Sequence, residues 1–174
     1  MSTLHPSVNK NDHFLGDPEK AKVVLTEYGD YQCPSCGEAY PIVKNLQEYF
    51  GEDLLFVFRN FPLTEIHPDA FHAALAAEAA GKQNKFWEMH DILYENQSRL
   101  DLEALEYYAE EIGLNVNSFQ RDLRSKTLQD KVENDIESGL RSGVNGTPSF
   151  YINNEKYNED WSEDFLKQVL QQYI

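Results

Sequence analysis

The chain has 174 residues, 41% of them hydrophobic, which is enough for the core of one domain or of one domain with an insertion. Its 30 acidic residues outnumber its 15 basic residues and give a net charge of −15, which disfavours nucleic acid and anionic membrane surfaces as partners. No apolar run approaches the ~18 residues that a membrane span needs.

The N-terminal segment, residues 1–20, is predicted to be an extended arm with a turn at Gly16-Asp17-Pro18. Residues 1–12 lack the charged-then-apolar pattern of a secretory signal. We therefore expect a cytoplasmic protein. The alternative is a periplasmic or otherwise extracytoplasmic protein from which a signal segment was removed.

A strand, a helix and a second strand are predicted next. Residues 23–28 are a β-branched run of strand length, and apolar residues at helical spacing predict a helix from about 33 to 50. Pro41 lies inside this helix and is expected to kink it. Residues 54–58 form a second apolar run, so the three elements indicate a parallel βαβ unit.

The middle of the chain, residues 68–144, contains no strand-like run and is predicted to be helical. Asp101 and Asn115 are candidate helix caps. Trp87 and His90 are expected in the core of this region. Five helices are predicted here, at 68–81, 84–96, 101–112, 116–124 and 126–142.

The C-terminal segment returns to strand character at residues 149–152. Asn153-Asn154 is predicted to form the two-residue turn of a hairpin whose second arm is 155–157. A last helix is predicted at 162–173. The order of elements is therefore βαβ, a helical region, and ββα.

The only two cysteines of the chain form the sequence Cys33-Pro34-Ser35-Cys36, at the predicted start of a helix. Two cysteines at this spacing can cycle between dithiol and disulfide with little backbone movement. A thiolate at a helix N-terminus also gains from unpaired backbone N–H groups and from the positive end of the helix dipole. The motif therefore indicates redox chemistry.

Two other interpretations of the cysteines compete with redox chemistry. A zinc site would need further ligands, for which His67, His72 and His90 are the candidates, but no second C-x-x-C pair follows. Two inert thiols could instead pack as small hydrophobic side chains. We expect no metal.

Four separated segments resemble the DsbA-like thiol–disulfide oxidoreductases of the thioredoxin superfamily. They are Asp30–Gly37 with its C-x-x-C, Arg59–Leu63, Phe86–His90, and Gly143–Phe150 with its Thr-Pro pair. The resemblance runs from about Leu15 to the C-terminus. It implies an α/β protein with a thioredoxin fold (βαβ…ββα) and an all-helical insertion. Its parts are then 1–62 and 145–174, the two halves of the thioredoxin domain, and 63–144, the insertion.

The catalytic residues expected from the motif and the resemblance are Cys33, Cys36 and Glu27. Cys33 comes first and is expected at the exposed helix N-terminus as the nucleophile, while Cys36 lies one turn further in as the buried resolving thiol. Glu27 is a carboxylate in an apolar strand, so it either points to solvent at a sheet edge or is buried. The resemblance implies that it relays protons to the resolving thiol. Arg59 could balance Glu27, but we expect it to be solvated.

Substrate binding is expected at Thr147, Pro148, Pro34 and Ser35. The resemblance implies that Pro148 is a cis-proline and that the backbone of Thr147 pairs with an extended substrate segment. In one respect the motif departs from the family, because the family's best-known periplasmic oxidant has a histidine where this chain has Ser35. A cation beside the thiolate is therefore lacking within the motif.

We expect a thiol–disulfide oxidoreductase that exchanges the Cys33–Cys36 pair with protein or peptide thiols and disulfides and is reset by a further redox partner. It needs no metal and no organic cofactor, because the cysteines carry the electrons. The alternative is a non-catalytic peptide-binding module with a redox-sensitive latch. A glutathione-using enzyme or small-molecule isomerase is a fainter third option, because such relatives usually have serine at the position of Cys33.

Overall fold

The computed structural model describes residues 2–174 and contains five β-strands and seven α-helices within them. The strands are β1 (His13–Leu15), β2 (Val23–Gly29), β3 (Leu54–Asn60), β4 (Ser149–Ile152) and β5 (Glu155–Tyr157). The helices are α1 (Pro34–Phe50), α2 (Ala70–Gly81), α3 (Phe86–Glu95), α4 (Leu102–Glu111), α5 (Val116–Leu123), α6 (Lys126–Arg141) and α7 (Glu163–Gln171). The α/β composition and the predicted order of elements are confirmed.

The chain forms two compact units. The first unit comprises the chain up to Gly29 together with Glu38–Arg59 and Glu137–Ile174. The second unit comprises Asp30–Gly37 and Asn60–Ile136. The domain boundaries expected near residues 62 and 144 stay a prediction.

A single sheet organises the first unit, with its strands in the order β1-β3-β2-β4-β5. The pairs β1–β3, β2–β4 and β4–β5 are antiparallel. Six of the seven residues of β2 are buried, as expected for a central strand with both faces covered. Any polar side chain of β2 is thereby withdrawn from water.

The N-terminal arm is more structured than the sequence predicts. His13–Leu15 pairs with β3 as an edge strand, with Phe14 opposite Val57. Nearer the terminus, Thr3 forms a β-bridge with Glu155, and the buried Leu4 donates its backbone N–H to Asn154. A three-residue strand and a single bridge are too short to show a periodicity, so the sequence predicts an extended arm but not these pairings.

The hairpin between β4 and β5 turns at the predicted residues. Asn153 and Asn154 both have positive φ, at 48° and 74°. This is the backbone conformation of a two-residue turn that matches the twist of the flanking strands, and asparagine tolerates it well.

The second unit is built around α2, which packs against α3, α4 and α5. Nine of its twelve residues are buried, among them seven alanines, whose short side chains let neighbouring helices approach closely. The five predicted helices of this region are confirmed to within two residues at each end, and the Asn115 side chain caps α5 by accepting from Ser118 N–H. His90 is in the core, as predicted, whereas Trp87 is only partly buried.

Within residues 2–174, none of the helices combines the length and the apolar character required to cross a bilayer. The same described residues contain no group of three or more histidine, cysteine, aspartate or glutamate side chains placed to hold a metal ion.

Candidate active site at the two cysteines

The two cysteines lie at the start of α1. Cys33 immediately precedes the helix and Cys36 is in its first turn, where the Gly37 N–H donates to the Cys33 carbonyl over 3.1 Å. Both cysteines are in the thiol form and are not joined by a disulfide. Cys36 is fully buried, as predicted, but Cys33 is only 6% exposed. The prediction of an exposed Cys33 is therefore wrong, and a residue of the loop after α3, Gln97, contacts the backbone of this turn.

Pro34 and Ser35, the two residues between the cysteines, are more accessible. Pro34 is exposed and Ser35 is partly buried. Pro34 occupies the first helical position, where its missing N–H costs no hydrogen bond and its fixed φ suits the helix. The accessible side of the motif is thus formed by the residues predicted to meet a substrate.

Asp30 shapes the turn that leads into Cys33. One oxygen of its fully buried carboxylate accepts from Gln32 N–H at 2.7 Å, and its backbone carbonyl accepts from Cys33 N–H at 3.1 Å. The other carboxylate oxygen accepts from Leu63 N–H at 2.9 Å and from His67 Nδ1 at 2.7 Å. One side chain therefore joins the cysteine turn to the loop that precedes α2.

Two further side chains fix this turn to the helices of the second unit. Gln32 and Asp69 are paired through Asp69 N–H, which donates to Gln32 Oε1 at 2.8 Å, and through Gln32 Nε2, which lies 3.4 Å from Asp69 Oδ2. Tyr31 shares a 2.9 Å hydrogen bond with His90 Nδ1, and its ring packs against those of His90 and Tyr94. The residues before Cys33 are thus held on several sides.

Gln97, in the loop after α3, contacts the same turn. Its Nε2 group donates to the carbonyls of Tyr31 and Cys33, both at 2.9 Å. Sequence analysis missed Gln97 and His67 as neighbours of this turn, although the sequence makes His67 a candidate zinc ligand. Separations of 37 and 64 residues, as for Asp30–His67 and Cys33–Gln97, leave no local pattern by which these contacts could be found.

The other predicted site residues belong to the first unit. Glu27 in β2 is buried with 2% exposure, which excludes the alternative that it points to solvent at a sheet edge. It stands opposite Phe150 of β4 in the sheet register. Thr147 and Pro148 directly precede β4 and are partly exposed, and the peptide bond between them is cis. The first unit therefore brings Glu27 and the Thr147-Pro148 pair to the same end of the β2–β4 ladder.

Arg59 is not solvated as predicted but 2% exposed. Its guanidinium donates to both carboxylate oxygens of Asp12, at 2.8 and 2.9 Å, and to the Tyr28 hydroxyl at 3.0 Å. Burial alone would lower the pKa of Arg59, but the hydrogen bonds to Asp12 and Tyr28 outweigh it and raise the pKa above its usual value. Because the partner lies 47 residues away in the N-terminal arm, the sequence gives no sign of this pair.

A second buried polar cluster lies in the second unit, around Asp135 of α6. One Asp135 oxygen accepts from Asn60 N–H and Nδ2 at 3.0 and 2.9 Å, and both oxygens accept from Lys131 Nζ. Glu78 of α2 accepts from the same Asn60 amide. Burial raises the pKa of Asp135, while Lys131 and the Asn60 N–H act in the opposite direction and Glu78 adds to the rise.

The sequence matches the thioredoxin family over residues 8–172. Among solved structures, the fold is similar to that of oxidised BdbD from Bacillus subtilis, with a TM-score of 0.87, 25% identity, and coverage of 99% of this chain and 97% of that one. A thioredoxin-like oxidoreductase from Silicibacter pomeroyi DSS-3 is 26% identical, with a TM-score of 0.83 and coverage of 94% and 92%. The alpha-DsbA1 protein of Wolbachia pipientis shares the fold at 22% identity, with a TM-score of 0.85 and coverage of 97% and 94%.

Curated relatives are longer proteins. A protein of Mycobacterium sp. (strain KMS) named Na(+)/H(+) antiporter NhaA 1 is 38% identical over 174 residues, which cover 98% of this chain and 28% of that protein. A protein of the same name from Salinispora arenicola (strain CNS-205) is 39% identical over 155 residues, which cover 89% of this chain and 24% of that protein.

The chain thus spans about a quarter of the length of these two relatives, and the antiporter name describes those whole proteins. The family match, in contrast, extends over nearly all of this chain, and the solved structures agree with it in fold. The chain therefore belongs to the thioredoxin family.

Proposed function

We propose that this protein is a thiol–disulfide oxidoreductase that exchanges its Cys33–Cys36 pair with protein or peptide substrates. The observation that carries the proposal is the position of both thiols at the start of one helix, with Cys33 just before α1 and Cys36 in its first turn. Backbone N–H groups of a first helical turn have no intrahelical acceptors and stabilise a thiolate there.

The exchange needs only the two cysteines. In the reducing direction, the Cys33 thiolate attacks a substrate disulfide, forms a mixed disulfide with one sulfur and releases the other as a thiolate. The Cys36 thiolate then attacks the Cys33 sulfur, which forms the Cys33–Cys36 disulfide and releases the second substrate thiol. Two electrons pass to the substrate, and the reverse sequence oxidises a substrate dithiol.

The remaining site residues are assigned supporting roles in this proposal. Glu27 accepts the proton released when a thiol becomes a thiolate, for which a buried carboxylate is suited near neutral pH. Thr147 pairs with an extended substrate through its backbone, Pro148 shapes the backbone at that point, and the accessible Pro34 and Ser35 contact the same substrate.

The direction of exchange is set by the reduction potential of the pair relative to its compartment. With Ser35 in place of a cation, the pair is proposed to be a weaker oxidant than one with histidine at this position. A weak oxidant suits a reductase or a general exchanger in the cytoplasm. The alternative location outside the cytoplasm fits the resemblance to the DsbA-like oxidoreductases.

The test of the proposal is dithiothreitol-driven reduction of a disulfide-rich protein, with and without catalytic amounts of this chain. We expect acceleration by the parent protein and none by Cys33→Ser. A non-catalytic binding module would bind extended peptides but leave the reduction at its uncatalysed rate. That result would reject the enzyme proposal in favour of the alternative.

A further inference from the structure

The backbone of the cysteine turn is held by one side chain from a distant loop. The carboxamide nitrogen of Gln97 donates to the carbonyls of Tyr31 and Cys33, so the carbonyls on either side of Gln32 have a common donor. Two carbonyl acceptors require the nitrogen, not the oxygen, of the carboxamide, which fixes its orientation. Gln97 thus spans the last residues before α1.

A glycine in α1 makes room for this carboxamide. A side chain at Gly37 would place its Cβ against Gln97 Oε1, closer than any real contact allows. Because the obstacle is the end of a flexible side chain, a methyl at position 37 would displace the Gln97 carboxamide and not the helix backbone. Gly37 also donates its N–H to the Cys33 carbonyl, the same oxygen that Gln97 contacts.

The Cys33 carbonyl is therefore held by two donors, one in the first turn of α1 and one in the loop after α3. This carbonyl closes the first turn, so its orientation decides where the Cys33 side chain lies relative to the N–H groups of that turn. A loosened turn would let the sulfur move away from them and weaken the support for a thiolate.

We propose that Gln97 is a positioning residue for thiol exchange: by holding the Tyr31 and Cys33 carbonyls it fixes the first turn of α1 and with it the Cys33 thiol. This inference rests on the proposed function. Gln97 acts through the backbone and takes no part in the bond-making steps.

The test measures the Cys33 thiol directly, in a Cys36→Ala background, by its rate of alkylation with iodoacetamide and by a thiolate absorbance titration. Gln97→Met keeps the length of the side chain and adds no charge, but removes the donor. We expect alkylation at pH 7 to slow by about threefold to tenfold, the size of one lost net hydrogen bond. The titration midpoint should rise accordingly. Gln97→Asn, which withdraws the amide by one methylene, should behave in the same way.

A structural control separates positioning from stability. Gln83 also bridges two loop segments, since it donates to and accepts from the backbone of Asn115, but it contacts no part of the cysteine turn. Gln83→Met should lower stability about as much as Gln97→Met and leave the alkylation rate of Cys33 at the parent value. Urea unfolding confirms in each case that the variant is folded.

The Gly37 contact gives the sharpest prediction. In the Cys36→Ala background, Gly37→Ala should slow alkylation of Cys33, because the methyl displaces the Gln97 carboxamide. The same substitution should have no further effect once Gln97→Ala has removed that side chain. Equal effects of Gly37→Ala in both backgrounds, or parent rates in both Gln97→Met and Gln97→Asn, would overturn the inference. Alkylation needs no substrate disulfide, so these results are independent of whether the parent protein catalyses exchange.

Discussion

Arg59 and Asp12 form a two-point ion pair in which Nε lies 2.8 Å from Oδ1 and Nη2 lies 2.9 Å from Oδ2. The two side chains are 2% and 6% exposed, so neither charge is compensated by water. Asp12 directly precedes β1, and the pair therefore ties the N-terminal arm to the end of β3.

Removing one partner of this pair should destabilise the protein strongly. We expect Arg59→Met to lower the free energy of unfolding by about 3–5 kcal/mol, because it leaves the Asp12 carboxylate buried without its cation. The measurement is urea unfolding at neutral pH. As a control, Lys20→Met removes one partner of the exposed Lys20–Glu52 pair and should leave the unfolding midpoint nearly unchanged. Equal effects of the two substitutions would contradict the account.

The order of strands and helices could be predicted from the sequence because β2 is a continuous β-branched run of strand length, while α1 repeats apolar residues at helical spacing. The position of Cys36 in the first turn of α1 follows from the same patterns, whereas they leave the burial of Glu27 open. The strand at His13–Leu15, the Arg59–Asp12 pair and the Gln97 contact could not be predicted. Each depends on partners far apart in the chain, and three residues or one side chain carry no periodicity.

The buried Asp135 should make stability fall as the pH rises. Its pKa is raised in the folded protein above the ordinary value of 3.8, so the folded state holds this proton more tightly than the unfolded state does. The favourable contribution is complete below the unfolded pKa and is lost as the pH rises through the folded pKa.

We therefore expect the stability of the parent protein, relative to Asp135→Asn, to be higher near pH 4 than at pH 7. Urea unfolding of both proteins across this range measures the difference. As a control, Asp130→Asn changes a more exposed position on the same helix. The stability of the parent relative to this variant should not fall between pH 4 and pH 7. A relative stability of the parent that increases with pH would show that the Lys131 ion pair outweighs burial.

Glu27 is expected to affect the rate of exchange more than the fold. Glu27→Gln keeps the size of the side chain but cannot accept a proton, so exchange should slow between pH 6 and 8 while the circular dichroism spectrum is retained. Glu38→Gln is the matched control, because Glu38 is an exposed carboxylate two residues after Cys36. Unchanged rates in Glu27→Gln would show that its role is structural.

A cation placed between the cysteines should make the protein a stronger oxidant. Ser35 lies in the first turn of α1 and is partly buried, so Ser35→His adds a positive charge close to Cys33. A close charge pair there contributes about 1–3 kcal/mol to the thiolate, and about 30 mV corresponds to ~1.4 kcal/mol for this two-electron couple. The thiolate fraction at a given pH should rise, and the potential should increase by some tens of millivolts.

Equilibration with glutathione buffers measures this change, and Ser35→Asn controls for the loss of the hydroxyl without adding charge. No difference between the histidine and asparagine variants would contradict the electrostatic argument. A parent potential already equal to that of the histidine variant would do so as well.

Trapping of mixed disulfides is the decisive measurement for the proposed exchange, because it identifies which cysteine attacks a substrate. The parent protein, Cys36→Ala and Cys33→Ala are each incubated with a disulfide-containing protein, quenched with acid and separated without reductant. We expect covalent complexes to accumulate with Cys36→Ala, in which Cys33 attacks and no resolving thiol remains, and the parent to release them. Complexes that accumulate with Cys33→Ala instead, or with neither variant, would contradict it.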